Sequence, residues 1–392
     1  MPIKTVKTEG KHMEMPIPMR GWNTWNTFGA NINDNMIRES ADAIVKSGLK
    51  DAGYEYIVID DCWSLKDRDE NGCLVADPAK FPYGMKALAD YIHSLGFKFG
   101  MYSCVGTKTC AGYPGSFGHE FQDAQTFADW GVDFLKYDYC YKPDAIDGRL
   151  LYNRMSMALK ATGRDIIFSA CSWGADDTAK WIRSTGADMW RSTGDIVDSW
   201  ASVKSLFEQQ REILPYGGLG CFNDMDMLIV GMNGKGHVGV NGCTLEEYRT
   251  HFTLWCFMSS PLMVGCDVRT MDDAVRDMLT NREVLAIQAD AKCQPFPATK
   301  YMWGDDTLAW AKQLSDGGYA LVYANMTDSD QLINTNWWDL GLPPSSGFAF
   351  AVRDVWSAQE LGVYEADCPI KVKPHECRLL RLSLVPAKGA KA

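Results

Sequence analysis

The feature that most constrains this fold is a regular alternation, over residues 19–290, of short apolar runs and longer amphipathic stretches. The amphipathic stretches, such as 83–95 and 245–257, carry apolar residues three or four positions apart, which is the spacing of one helix face. Strands that alternate with helices predict parallel crossover units, and eight such units can close into a (β/α)8 TIM barrel. An open doubly wound sheet fits less well, because no glycine-rich phosphate turn follows the first run. The eight runs are residues 19–25, 56–63, 98–104, 134–140, 166–171, 189–196, 221–228 and 259–266.

The pattern changes after Asp290. From Leu308 onward, short alternating runs are separated by Gly, Pro, Asp and Ser, which is typical of antiparallel strands joined by turns. We therefore predict two domains, a (β/α)8 barrel over residues 1–292 and an antiparallel β-sandwich over residues 299–392. The segment PFPATK at 295–300, with two prolines in six residues, is the predicted linker.

Charge and hydropathy exclude several classes of partner. The formal net charge is -11 and no Lys/Arg cluster offers a basic face, so we predict no nucleic-acid partner. No run of about 18 apolar residues is present, so no membrane span is predicted. The N-terminal segment lacks the apolar centre of a signal peptide, which favours a cytoplasmic protein over a secreted one whose signal peptide has been removed.

The 13 cysteines form no CxxC pair, so we expect most of them to be reduced and buried. The sequence leaves open whether the chain forms a homo-oligomer.

Polar and aromatic side chains crowd the ends of the apolar runs. In a barrel the carboxyl ends of all strands open onto one face, where active sites are built. A single strand-end aspartate is often only a solvated residue, but five aspartates, a lysine and an arginine on one face indicate a functional site. The residues at these ends are Trp25, Asp60, Asp61, Tyr102, Lys136, Asp138, Cys171, Trp173, Arg191, Asp195 and Asp226.

The residue types at this face favour one class of chemistry. Catalytic metal sites usually draw on histidine, and none of the six histidines ends a run, so we predict no metal and no cofactor. No phosphate loop and no G-x-S-x-G elbow is present. Carboxylates among tryptophans instead suit a sugar pocket, in which apolar sugar faces stack on indole rings and hydroxyls bind carboxylates. A magnesium or calcium site made of aspartates alone stays an alternative. Its ligands would be Asp60, Asp61, Asp224 and Asp226.

Two of these aspartates, Asp138 and Asp195, are candidates for the carboxylate pair that cleaves a glycosidic bond. In such a pair one ionised carboxylate acts at the anomeric carbon, and a second, protonated group gives a proton to the leaving oxygen. Lys136 lies two residues before Asp138 and so shares its face of the strand, where an ammonium favours the ionised form of Asp138. Asp195 needs a desolvated setting that raises its pKa enough for it to donate a proton.

Five motifs, in this order and on these runs, resemble the α-galactosidases of glycoside hydrolase family 27: GWNTW, YIVIDDCW, FLKYDYCY, MWRSTGDI and FNDMDML. The resemblance covers residues 19–290, and the β-sandwich that follows matches the layout of the family. It implies a retaining double displacement on terminal α-D-galactosyl residues of oligosaccharides or glycoconjugates, with Asp138 as nucleophile and Asp195 as acid/base. The implied binding roles are sugar stacking for Trp25, the O4 and O6 hydroxyls for Asp60 and Asp61, the O2 and O3 region for Lys136 and Arg191, and pocket lining for Tyr102, Cys171, Trp173, Asp226 and Met227.

The loop SACSWG, after the fifth run, bears on the substrate. Its Cys171 and Trp173 resemble family members that accept a free 2-hydroxyl, whereas N-acetylgalactosaminidases carry small residues that admit the acetamido group. Overpacking by an indole ring costs ~1–3 kcal/mol or more, so galactose is favoured over N-acetylgalactosamine. A β-L-arabinopyranosidase, whose sugar lacks C6, stays an alternative, although the presence of both Asp60 and Asp61 favours galactose. A galactose-binding barrel without catalysis is a further alternative, and the intact pair of catalytic carboxylates speaks against it.

The resemblance also implies a disulfide between Cys110 and Cys140 beside the nucleophile, and the sequence leaves its redox state open. Secreted relatives pair the cysteine of the DDCW motif with one in the loop after the first strand. Residues 27–35 contain no cysteine, so Cys62 lacks that partner.

Overall fold

The computed structural model describes residues 17–298 and 307–387, and its larger part is a barrel of parallel strands. Each strand pairs in parallel with its neighbours in the order β8-β1-β2-β3-β4-β5-β6-β7. A parallel bridge between Leu228, in the segment that follows β7, and Val264 on β8 closes the sheet. The predicted TIM barrel is confirmed. The strands are β1 Arg20–Asn23, β2 Tyr56–Val58, β3 Lys98–Cys104, β4 Phe134–Asp138, β5 Ile167–Cys171, β6 Met189–Arg191, β7 Phe222–Asp224 and β8 Leu262–Val264.

Helices form the outer layer, and most of them begin at a side-chain cap. Before the seventh helix, for example, Thr244 and Glu247 form a capping box in which each side chain accepts the other's backbone N–H. Gly131 ends the fourth helix in the left-handed conformation, which glycine adopts without strain. The helices are α1 Trp25–Phe28, α2 Asp34–Lys46, α3 Gly84–Ser94, α4 Glu120–Trp130, α5 Gly148–Ala161, α6 Trp200–Ile213, α7 Leu245–Phe257, α8 Asp273–Leu279 and α9 Arg282–Gln288. Within the described residues, no helix combines the length and apolar character needed to cross a bilayer.

The connection from β5 to β6 contains two 3₁₀ turns, Ala175–Lys180 and Ile182–Ser184, where the other connections between successive strands contain α-helices. Asp176 and Asp177 have φ values of 53° and 55°, in the left-handed region that a right-handed helix cannot include. This connection therefore follows a shorter and more irregular path beside the cavity described below.

The alternation of side chains along each strand separates the barrel interior from the helix layer. Phe134, at the start of β4, packs inside the barrel, where its ring lies 5.9 Å from that of Tyr56. Tyr137 points outward and packs edge-on against Tyr152 of α5. With a period of two residues, Lys136 and Asp138 lie on the same inner face as Phe134 and stand above it at the carboxyl end.

An antiparallel domain follows the barrel, as predicted. Its larger sheet has the strand order β9-β10-β11-β16-β13-β14, and β12 pairs with β15. Residues 296 and 297, inside the predicted linker, pair with β10 as an edge strand. The predicted limits 1–292 and 299–392 stay predictions, because residues 1–16, 299–306 and 388–392 lie outside the described part of the chain. The strands are β9 Phe296–Pro297, β10 Thr307–Gln313, β11 Tyr319–Asn325, β12 Gln331–Ile333, β13 Phe348–Asp354, β14 Gln359–Tyr364, β15 Ile370–Val372 and β16 Cys377–Pro386.

The second domain is fixed to the helix layer of the barrel. Lys312 on β10 is fully buried, and its ammonium donates hydrogen bonds to Ser259 Oγ at 2.6 Å and to the carbonyl oxygen of Ile287 at 2.5 Å. Thr250 on α7 donates from Oγ1 to the carbonyl oxygen of His375 at 2.7 Å. The domain thus packs beside the barrel and leaves the carboxyl ends of the strands open.

Candidate active site

A cavity of about 280 Å³ opens at the carboxyl ends of the barrel strands. The side chains that line it come from β3 to β6 and from the segments that follow β1, β2, β3, β5, β6 and β7. All twelve residues predicted for catalysis and binding belong to this lining, so the structure brings them together in one site. They are Trp25, Asp60, Asp61, Tyr102, Lys136, Asp138, Cys171, Trp173, Arg191, Asp195, Asp226 and Met227.

Five further residues line the cavity and were not predicted. Three of them lie within two positions of a predicted residue, so a wider window around each strand end would have found them. His237 and Val238 belong to a long connection between β7 and α7, which carries no strand-end signal. The five residues are Asn26, Ile196, Val197, His237 and Val238.

Asp138 ends β4 and is only 6% exposed. Its Oδ2 accepts a hydrogen bond from the Tyr102 hydroxyl at 3.0 Å, and its Oδ1 accepts one from the backbone N–H of Tyr139 at 2.8 Å. Burial raises the pKa of Asp138 to about 6, because the opposing effects of Lys136 and of these hydrogen bonds are smaller. The prediction that Lys136 favours the ionised form is right for that one interaction. The net shift of the pKa is nevertheless upward.

Lys136 forms its direct ion pair with Asp60 across the barrel. Its Nζ lies 2.8 Å from Asp60 Oδ2, and the side-chain amide of Asn23 donates to the same oxygen at 2.8 Å. Burial lowers the pKa of Lys136, but the attraction of Asp60, Cys171 and Asp138 outweighs it and the pKa is raised. Lys136 therefore stays charged, holds Asp60 in place and acts on Asp138 only through space.

Asp61 is buried beside Asp60 and joins two loops of the mouth. Its Oδ1 accepts a hydrogen bond from the backbone N–H of Cys62 at 2.7 Å, and its Oδ2 accepts one from that of Ala111 at 3.0 Å. Burial raises the pKa of Asp61 despite these bonds. The carboxylate is thereby held at a fixed position in the cavity wall.

Arg191 is buried at the end of β6, and its guanidinium joins two carboxylates. Nη1 lies 2.9 Å from Asp226 Oδ1, and Nη2 lies 2.8 Å from Asp195 Oδ1. Desolvation raises the pKa of Asp195, but the charge and the hydrogen bond of Arg191 outweigh it and the pKa is lowered. The side chain of Asp195 is 75% exposed at the cavity mouth. The expectation of a raised pKa for Asp195 is therefore wrong, because the sequence does not show that Arg191 pairs with Asp195.

Three residues of this region have a backbone conformation that is unusual for non-glycine residues. Cys62, Trp173 and Asp226 have φ values of 71°, 57° and 83°, and they follow the ends of β2, β5 and β7. Such conformations cost about 1–3 kcal/mol each and persist only where the surroundings enforce them. Here they turn the chain sharply at the mouth, so that Trp173 and Asp226 line the cavity.

A disulfide between Cys110 and Cys140 lies next to Asp138. Both sulfur atoms and a carboxylate oxygen of Asp138 lie within 4.8 Å of one another. All thirteen cysteines fall in the described part of the chain, and the other eleven, Cys62 among them, are free thiols. The prediction of mostly reduced and buried cysteines is confirmed.

The aspartates of the metal alternative do not gather around a common point. Among residues 17–298 and 307–387, the only set of three potential metal ligands within reach of one ion is Cys110, Asp138 and Cys140, and the disulfide joins two of these. Asp60 and Asp226 instead face an ammonium and a guanidinium. The arrangement offers polar contacts to a neutral hydroxylated ligand and places two carboxylates, one buried and one open, around the same cavity.

Comparison with known proteins agrees with this geometry. Residues 17–290 match the profile of the family described as alpha galactosidase A, and residues 304–382 match the alpha galactosidase C-terminal beta sandwich domain. The chain is 42% identical over 367 residues to an alpha-galactosidase of Cyamopsis tetragonoloba, covering 93% of this chain and 86% of the relative.

Solved structures of similar fold cover nearly the whole chain. Alpha-galactosidase I of Mortierella vinacea superposes with a TM-score of 0.86 at 34% identity, over 94% of this chain and 97% of that one. A β-L-arabinopyranosidase of Geobacillus stearothermophilus superposes with a TM-score of 0.84 at 27% identity, over 96% and 98%. The chain belongs to glycoside hydrolase family 27, the alpha galactosidase A family.

Proposed function

We propose that this chain is a retaining α-galactosidase that hydrolyses terminal α-D-galactosyl residues of oligosaccharides or glycoconjugates. The observation that carries the proposal is the contrast between its two carboxylates in one cavity. Asp138 is buried and held by Tyr102 and Tyr139, as suits a nucleophile that must be aimed at one carbon. Asp195 is open at the mouth, where a leaving group would depart.

The reaction proceeds in two balanced steps. Asp138 attacks the anomeric carbon as Asp195 gives its proton to the glycosidic oxygen, so that a galactosyl–enzyme ester forms and the leaving group departs as an alcohol. Asp195 then removes a proton from water, whose oxygen attacks the same carbon and releases Asp138. Two inversions restore the α configuration in the product.

Asp195 must be protonated for the first step, although Arg191 lowers its pKa. A bound sugar excludes water from Asp195, which raises the pKa of a carboxyl group. Its hydroxyls in the O2 and O3 region also compete for the Arg191 guanidinium, which weakens the interaction that favours the ionised form. Substrate binding thus raises the pKa of Asp195, so that its carboxyl group is protonated and can act as the acid.

The walls of the cavity support galactose as the sugar. Asp60 and Asp61 are each only 2% exposed and can accept hydrogen bonds from the O4 and O6 hydroxyls. Trp25 is half-buried and offers its indole ring to the apolar face of the sugar. Cys171 and Trp173 line the cavity, and we assign them to the wall beside the 2-hydroxyl, where their bulk would exclude a 2-acetamido group.

A substrate panel tests this proposal. We expect hydrolysis of an aryl α-galactoside. The kcat/KM for the α-N-acetylgalactosaminide and for the β-L-arabinopyranoside should be at least about tenfold lower, because each loses ~1–3 kcal/mol of transition-state binding. Following the product anomer by NMR should show α-galactose first. Absence of turnover of the α-galactoside, or β-galactose as the first product, contradicts the proposal.

The raised pKa of Asp138 predicts the acidic limb of the pH–rate profile. Only the ionised carboxylate attacks, so kcat/KM should be level above about pH 6 and fall about tenfold per unit below it. The substrate should be α-galactosyl fluoride, because fluoride leaves without a proton from Asp195. The variant Tyr102→Phe loses a hydrogen bond to the carboxylate and should move this limb to higher pH. A limb centred near the ordinary aspartate pKa of about 3.9 contradicts the prediction.

We also propose a cytoplasmic location for the protein. The eleven free thiols support this, since oxidising compartments favour disulfides.

A further inference from the structure

One wall of the cavity comes from residues 231–242, here called the 231–242 loop. The backbone N–H of His237 donates to the carbonyl oxygen of Thr27 at 3.0 Å, and that of Val238 donates to that of Asn26 at 3.0 Å. A Cβ on Gly236 would lie 2.8 Å from Thr27 Cα, so only glycine permits this close approach. The loop is therefore fixed against the residues that follow β1.

The same loop is also tied to the segment that carries Asp195. The carboxylate of Asp198, three residues further on, is fully buried and accepts hydrogen bonds from the Gly234 N–H at 2.6 Å and the Tyr248 hydroxyl at 2.8 Å. The backbone N–H of Asp198 donates to the Val238 carbonyl at 2.9 Å. These hydrogen bonds fix the position of the 231–242 loop, and with it His237, relative to the segment that carries Asp195.

The imidazole of His237 is held in place but keeps its polar atoms free. Its ring lies 4.8 Å from that of Trp25, edge-on at 74°, and a Cβ on Gly29 would come within 2.9 Å of it. The residue is exposed, lines the cavity, and makes no side-chain hydrogen bond to any residue of the described ranges. Neither ring nitrogen makes a hydrogen bond within the described ranges, so the imidazole can bond to a ligand in the cavity.

His237 lies apart from the buried polar groups that we assign to galactose. Asp60, Asp138 and Arg191 form a buried floor, whereas His237 and Asp195 lie exposed at the mouth. Because Asp195 delivers its proton to the glycosidic oxygen, the leaving group must lie on the mouth side of the bound galactose. We propose that His237 binds this leaving group, a neutral sugar unit, through a hydrogen bond between a ring nitrogen and a hydroxyl.

A sugar fits this position better than an apolar or charged group. Val197 and Val238 also line the cavity and offer apolar contact beside the imidazole. A saccharide presents both a hydroxyl for the ring nitrogen and C–H surface for the valines. The inference rests on the proposed function and adds a binding residue for the second sugar.

The test compares two substrates that share galactose and differ in the leaving group. The leaving group of raffinose is a sugar unit, whereas that of α-galactosyl fluoride is a fluoride ion. The variant His237→Phe keeps a ring against Trp25 but loses the nitrogens. We expect kcat/KM for raffinose to fall roughly 3- to 10-fold, as the loss of one hydrogen bond predicts, and kcat/KM for the fluoride to stay unchanged. The matched control is Lys235→Ala, an exposed residue of the same loop outside the cavity lining, which should change neither.

The outcomes separate the inference from the function on which it rests. An unchanged raffinose efficiency in His237→Phe overturns the inference, and so does an equal loss on both substrates, which indicates a purely structural role. A wild-type protein that does not turn over α-galactosyl fluoride overturns the proposed function and the inference together. A selective loss on raffinose supports both.

Discussion

Replacing Asp138 with asparagine is expected to lower kcat by on the order of 10⁴- to 10⁶-fold, because an amide cannot attack the anomeric carbon and no galactosyl–enzyme ester forms. Steady-state rates with an aryl α-galactoside measure the effect. Near-normal turnover contradicts the assignment of the nucleophile.

The same substitution should leave the fold intact or stabilise it. An acid whose pKa rises on folding makes the folded state less stable as the pH increases from the unfolded pKa to the folded one. For Asp138, with its pKa raised from 3.8 to about 6, the ionised carboxylate costs roughly 2–3 kcal/mol at pH 7. Asparagine removes this cost, so an unfolding temperature at or above that of the wild type confirms that the lost activity is chemical. A large decrease in that temperature contradicts this explanation.

Much of the barrel could be predicted from the sequence because the signal is local and repeated. The run 134–140, for example, carries Phe134, Lys136 and Asp138 two positions apart, and this spacing alone places all three on one face. Repetition of such runs predicts the parallel sheet, and the sheet brings the strand ends together. This explains why residues far apart in sequence could be assigned to one cavity.

The pairings inside the cavity could not be predicted in the same way. Lys136 and Asp138 are close in sequence, but the direct partner of Lys136 is Asp60, just after a strand two positions away in the sheet. That choice depends on side-chain directions across the barrel, which no spacing in the sequence encodes. The lowered pKa of Asp195 similarly depends on its pairing with Arg191. The sequence offers several carboxylates as partners for Arg191 and does not indicate which of them it contacts.

The contribution of the 231–242 loop to the cavity could not be predicted from the sequence for a different reason. His237 lies far from any strand end, and its position beside Trp25 depends on backbone contacts at Thr27 and on the absence of a side chain at Gly236. These are contacts between distant segments with no periodic pattern. The part of the site that we assign to the leaving group is therefore the part that sequence reasoning misses.

Replacing Asp195 with alanine is expected to produce a loss that depends on the leaving group. A sugar leaving group needs a proton, so kcat/KM for raffinose should fall about 10²- to 10⁴-fold. Fluoride does not need one, so formation of the galactosyl–enzyme from α-galactosyl fluoride should be little affected. Its hydrolysis, which needs Asp195 as base, should then become slow, and the intermediate on Asp138 should accumulate. Mass spectrometry of the intact protein would detect it as an added hexosyl unit.

Azide distinguishes the two carboxylates by stereochemistry. In Asp195→Ala, azide attacks the intermediate without a base and restores turnover of α-galactosyl fluoride. Two inversions then give α-galactosyl azide. In Asp138→Gly, azide can take the place of the missing nucleophile, and a single inversion gives the β-azide. Because Asp195 is open at the mouth and Asp138 is buried at 6% exposure, rescue should require less azide in the Asp195 variant. The same azide anomer from both variants would contradict the separate roles assigned to Asp138 and Asp195.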